Sequence, residues 1–162
     1  MEAIIRRAVP TDAPALSRLL SQILGVHHKG RPDLFRDRGQ KYSLSELRAI
    51  VTDPTTPVWV AEAEGEVVAY CFCQIKRVRA HPILKNRVSL HIDDLCVDKA
   101  CRGRGLGTAL YHRVAEFAKA EGCADVTLQV WECNPEAMAF YQKLGFVPQR
   151  TGMERPGEGG AQ

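Results

Sequence analysis

Leu16, Leu19, Leu20, Ile23 and Leu24 recur at three- and four-residue intervals, the spacing of an amphipathic helix, with Thr11 as its cap and Pro14 in its first turn. The pattern then breaks. From Gly25 to Tyr42 the chain is polar and irregular, with His27 beside His28 and a punctuating stretch Arg31-Pro32-Asp33-Leu34-Phe35, the composition of a loop over a pocket. Helical spacing resumes at Leu44, Leu47, Ile50 and Val51 behind Ser43-Leu44-Ser45-Glu46, which has the form of a capping box, and ends at Asp53-Pro54. Two helices are predicted here, after a short strand near Ile4-Ile5-Arg6.

Further along, the pattern changes to strands. Val58 to Ala63 and Val67 to Lys76 flank Glu64-Gly65-Glu66, a Gly-centred link suited to an antiparallel hairpin. Val88 to Val97 and Val126 to Trp131 are the next strands, separated by a Gly-rich turn and a helix from about Leu106 to Glu121 that Gly122 closes. That order predicts a strand, a crossover helix and a parallel strand. Asn134-Pro135 then offers a cap and a first-turn proline, and Gly145 sits where a left-handed residue ends a helix. A last strand is expected near Phe146 to Met153. Residues 1–155 read as one domain and residues 156–162, Gly-rich and without core-building residues, as a flexible tail.

Composition narrows the class. The chain has 162 residues, 45% hydrophobic and 25% charged, enough for a single core that buries roughly 70% of the unfolded surface. A formal charge of +3, with basic residues dispersed apart from Arg77-Val78-Arg79 and Arg102-Gly103-Arg104, gives no stripe for nucleic acid. No apolar run reaches the roughly 18 to 20 residues of a membrane span, and the first residues lack a signal-peptide core, so a cytoplasmic protein is expected. Six cysteines without a CxxC pair read as packing thiols, and no metal site is expected.

The chemistry concentrates in Arg102-Gly103-Arg104-Gly105-Leu106-Gly107-Thr108. Alternating glycines let a ligand approach the backbone, and the helix that follows presents unpaired N–H groups and a positive dipole end, a natural seat for a pyrophosphate. The turn lacks the Lys-Ser/Thr ending of a P-loop and the third glycine spacing of the dinucleotide fingerprint.

Asp94-Leu95-Cys96-Val97, then Arg102-x-x-Gly105-x-Gly107, then Asn134-x-x-Ala137-x-x-Phe140-Tyr141-x-Lys143-x-Gly145-Phe146 resemble, in order and spacing, the GCN5-related N-acetyltransferase (GNAT) family. The resemblance is firm from about Val58 to Val147 and loose in the helical first third. It implies a single-domain α/β fold: a mixed, mostly antiparallel sheet of about six to seven strands flanked by about four helices. It also implies acetyl-CoA as co-substrate. Leu95, Cys96 and Val97 would meet the pantetheine arm through their main chain, residues 102–108 would hold the phosphates, and Asn134, Ala137, Tyr141 and Lys143 would lie on the arm's other side. Tyr141 matches the residue that protonates the departing thiolate in many members.

The base that deprotonates the acceptor stays open among Asp93, Asp94, His91 and Glu132, with Asp93 or Asp94 favoured and only one of them able to face the cleft by strand alternation. Cys96 raises a rival route through an acyl-enzyme. His27, His28, Arg31, Asp33 and Phe35 are candidates for the acceptor pocket. The expected reaction is direct transfer of acetyl to a primary amine of a small molecule or peptide, the alternative an acyl-CoA-binding sensor without chemistry. Exposed edges near the carboxyl terminus, which become dimer contacts in similar proteins, raise a homodimer as one assembly.

Overall fold

The structure is a computed structural model that describes residues 2–158. Five strands form one sheet in sequential order: β1 (Ile4–Arg7), β2 (Val58–Ala63), β3 (Glu66–Val78), β4 (Arg87–Val97) and β5 (Asp125–Leu128). Every neighbour pairs antiparallel except β4 and β5, which run parallel through α3 (Leu106–Ala120). The crossover unit expected from the sequence is therefore present. The β2–β3 hairpin turns on Glu64 and Gly65, with φ of 52° and 80°, the left-handed pair that matches strand twist.

Strand alternation divides the core in two. Val58, Val60, Tyr70, Phe72 and Cys96 face α1 (Ala13–Gly30) and α2 (Leu44–Thr52), where Leu16, Leu19, Leu20, Leu47 and Val51 cover them. Trp59, Ala61, Cys71, Cys73, Leu90 and Ile92 face the other way, under Leu106, Leu110, Val114 and Ala118 of α3. Cys71, Cys73, Cys96 and Cys101 are buried free thiols, as expected of packing cysteines.

Three elements differ from the sequence expectation. α1 starts at Ala13 after a single 3-10 turn, Pro10–Asp12, because Asp12 rather than Thr11 closes its start: the Asp12 carboxylate accepts the Val9 N–H and pairs with both terminal nitrogens of Arg6. α1 also continues through Gly25 to Gly30 instead of yielding to a loop. Tertiary packing holds that last turn, since a Cβ on Gly30 would lie 2.7 Å from the Cys133 sulfur and the His27 ring packs on Phe35. Residues 146–153 form no strand, and the described sheet has five strands rather than six or seven. Pro148 has no N–H for a ladder, and Val147 and Met153 stand exposed.

α2 shows how local chemistry sets a boundary. Ser43 Oγ accepts the Glu46 N–H at 3.1 Å while Glu46 accepts the Ser43 N–H at 2.7 Å. Ser43→Ala removes half of this box and is expected to cost about 1 kcal/mol, a fall of about 2–4 °C in Tm by thermal denaturation, with no change in ligand binding.

Candidate active site

β4 and β5 pair only from Ser89–Asp125 to Ile92–Leu128. Beyond that point they part, and residues 94–97 of β4 keep β3 on one edge with no strand among the described residues on the other. The Asp98 N–H bonds to Val68 of β3. Because successive amides of a strand point to opposite edges, those of Leu95 and Val97 face the open side. The Val97 carbonyl lies on the same side and accepts Arg102 Nε at 3.2 Å. Arg102 thus ties the glycine turn to the strand edge, where the sequence suggested only phosphate contact.

The turn itself is shaped by positive φ. Gly103 and Gly105 have φ of 77° and 78°, and Gly105 is the N-cap of α3. A Cβ on Gly105 would meet nothing within 4 Å, so the start of α3 opens onto free space where its dipole favours an anion. Gly107 serves packing instead: a Cβ there would sit 3.2 Å from the Phe140 ring and 3.6 Å from Val97, so its absence lets α3 meet α4 (Pro135–Lys143) and β4 closely. Leu106 is buried in the core and Thr108 is half-buried.

On α4, Asn134 Oδ1 accepts the Ala137 N–H at 3.2 Å, the role of a helix cap. Ala137 and Tyr141 are half-buried and Lys143 is exposed in the last turn. The Tyr141 ring lies edge-on between Phe140 and Phe146, at centroid distances of 5.1 and 5.5 Å. Burial, with the charges of Cys71, Asp94 and Cys73 nearby, pushes the Tyr141 hydroxyl well above the usual phenol range, so it stays protonated at neutral pH.

A bulge separates the two aspartates. Phe72 pairs with Asp94 and Cys73 with Ile92, which leaves Asp93 as the extra residue. Asp93 is exposed, its carboxylate 3.8 Å from His91 Nε2. Asp94 turns toward the α1 side of the sheet, where the Tyr70 hydroxyl donates to it at 2.7 Å. Burial raises the Asp94 carboxyl above the ordinary aspartate range, against the pull of Tyr70, Lys41, His27 and the Leu95 amide. His91 bonds Thr127 Oγ1 through Nδ1 at 2.9 Å, and burial together with Lys76 lowers it. Glu132 is exposed.

Asp94 stands on β4 and Tyr141 on α4, and the Asp94 charge is among the causes that raise the Tyr141 hydroxyl. Cys96 is set apart: its sulfur is buried against α1, directed at the Leu19 carbonyl at 3.7 Å, and burial pushes the thiol up to about 12. A protonated thiol packed under a helix is a poor nucleophile. His27 packs on Phe35 at 4.9 Å, and Phe35 meets the exposed Trp131 edge-on at 5.4 Å. His28 Nδ1 bonds the Phe35 carbonyl at 2.8 Å, and Arg31 pairs with Asp33 and with Glu154 of the carboxyl-terminal segment. Sequence reasoning missed Tyr70. Its signal was a hydroxyl in the middle of an apolar strand, which needs a partner once buried.

An acetyltransferase (GNAT) family profile matches residues 23–146. The chain belongs to the GNAT family. Among curated relatives, glucosamine 6-phosphate N-acetyltransferase 1 of Oryza sativa subsp. japonica is 43% identical over 63 residues, which are 39% of this chain and 36% of that protein. N-acetyltransferase 8B of Homo sapiens is 36% identical over 98 residues, 58% of this chain and 39% of that protein. The chain thus spans less than half the length of these relatives. A crystal structure of the BH1408 protein of Bacillus halodurans, a tetramutant, superposes with a TM-score of 0.89 at 32% identity, covering 94% of this chain and 99% of that one. The fold is the α/β GNAT fold, with one mixed sheet and four helices. Among the described residues, no helix is long and apolar enough to cross a membrane, and no three His, Cys, Asp or Glu side chains gather as a metal site.

Proposed function

We propose that the chain is an acetyl-CoA-dependent N-acetyltransferase that passes the acetyl group directly to a primary amine of a small molecule or peptide. The observation that carries this is the opening between β4 and β5 beyond Ile92, with Asp94 on its β4 edge and the glycine turn following that strand. The outward amides of Leu95 and Val97 suit an extended arm that pairs as a strand would. Gly103, Gly105 and the first turn of α3 suit its phosphates.

In the reaction, Asp94 takes a proton from the acceptor ammonium. The freed nitrogen lone pair forms the C–N bond at the thioester carbonyl, while the Val97 amide faces the oxygen that gains charge. As the C–S bond breaks, Tyr141 gives its proton to the leaving thiolate, and the second proton that the nitrogen must lose passes through solvent to the Tyr141 phenolate and restores it. Asp94 is favoured over Asp93 because a carboxyl raised toward neutral pH, held on the sheet, is a better base than an exposed one in a bulge.

Calorimetric titration with acetyl-CoA, with ATP and NAD as controls, tests the donor, and thiol release with amines tests the chemistry. Tyr141→Phe is expected to bind acetyl-CoA as well as the native chain does and to lose about 10²-fold in kcat. A sensor would bind acetyl-CoA and release no thiol in either form.

A further inference from the structure

We propose that Tyr70 is a positioning residue for proton removal from the acceptor: its hydroxyl holds the Asp94 carboxylate in the orientation that receives the proton. This rests on the acetyltransferase reading and adds a residue that the family's motifs, as matched in this chain, do not include.

The geometry is specific. Tyr70 is fully buried, and its ring is fixed edge-on to Phe72 at 4.9 Å, beneath α1 and α2. On the sheet it lies between Val60 of β2 and Cys96 of β4, so its backbone is held on both sides. Its hydroxyl reaches diagonally to Asp94 Oδ2 at 2.7 Å. Burial and the Asp94 charge push the phenol far above its usual range, so Tyr70 only donates. Tyr70 engages Oδ2 and the Leu95 amide also draws on the carboxylate, and the lone pairs that remain receive the incoming ammonium. The acceptor proton passes to Asp94, and Tyr70 keeps its own.

Other groups also act on Asp94. His27 comes from α1, Lys41 from the loop before α2, Cys96 from β4, Cys71 from β3 and Tyr141 from α4. The Leu95 amide acts from the backbone, and among the described residues Tyr70 alone makes a side-chain hydrogen bond to this carboxyl. Burial on the sheet without that donor would leave Asp94 easier to protonate and free to rotate.

Tyr70→Phe keeps the ring and removes the donor. The test follows kcat/KM against pH by thiol release from acetyl-CoA, using the fastest of glucosamine 6-phosphate, spermidine and lysine as acceptor, or water if none reacts. In Tyr70→Phe the acid limb should move up by about one pH unit, a roughly tenfold loss below it and little change above it, with acetyl-CoA affinity unchanged. In an Asp94→Asn background the same substitution should change nothing further. A 13C titration of the Asp94 carboxyl, which needs no turnover, should show the same upward move. A wild-type limb that Tyr70→Phe leaves in place, or a Tyr70→Phe effect that persists beside Asp94→Asn, overturns this inference alone. A wild type that binds acetyl-CoA and releases no thiol overturns the acetyltransferase reading and this one with it.

Discussion

Asp94→Asn is expected to lower kcat/KM for acetyl transfer by about 10²- to 10⁴-fold and to abolish the acid limb of the pH profile, while acetyl-CoA binds as before. Asparagine has nearly the shape of aspartate and can still accept the Tyr70 hydrogen bond, so the change removes the proton acceptor and little else. Stability should move the other way. Burial raises the folded-state carboxyl above its unfolded value, so the folded chain holds this proton more tightly than the unfolded chain does. Native stability therefore falls as pH rises from the unfolded value through the folded one, and above that the folded state carries the whole cost of a desolvated charge. Asp94→Asn has no such cost, and its Tm should match or exceed that of the native chain at pH 8. The difference should shrink in acid, where Asp94 is protonated in both states. Steady-state rates at several pH values, with thermal melts on the same samples, check both halves. An unchanged rate would move the base to Asp93 or His91.

That Asp94 rather than Asp93 meets the α1 side could not be read from the chain, because alternation assumes an unbroken strand. The bulge at Asp93 shifts the count by one, so Ile92 and Leu95 both face α3 while Asp94 and Cys96 face α1. The bond from Tyr70 to Asp94 was hidden for a related reason: it joins residues 24 apart through sheet register. Features legible in sequence were those set by neighbours along the chain, such as the Ser43–Glu46 box and the positive φ of Gly145 after α4. The end of α1 was decided elsewhere, by Cys133 against Gly30, whereas Pro148, which lacks an N–H for a ladder, was a local signal against a strand at 146–153. The strand, crossover helix and parallel strand were legible as order and spacing. The packing of Phe35 between His27 and Trp131 was not, since only the folded chain brings the three rings together.

Gly105→Glu is expected to weaken acetyl-CoA binding by at least about 100-fold, roughly 2.7 kcal/mol, with a smaller effect on stability. Two terms separate here. A side chain at φ of 78° is strained by about 1–2 kcal/mol, and Gly105→Ala carries that term alone, because a Cβ at this position touches no other atom within 4 Å. The glutamate adds a carboxylate at the positive end of α3, where it satisfies the same N–H groups that the phosphates would use. It offsets part of the strain by capping the helix and repels the ligand by charge. Melts should therefore rank the two variants close together, while calorimetry with acetyl-CoA should separate them widely. Equal loss of affinity in both would make the turn a matter of backbone shape. Native affinity in the glutamate variant would place the phosphates somewhere other than the start of α3.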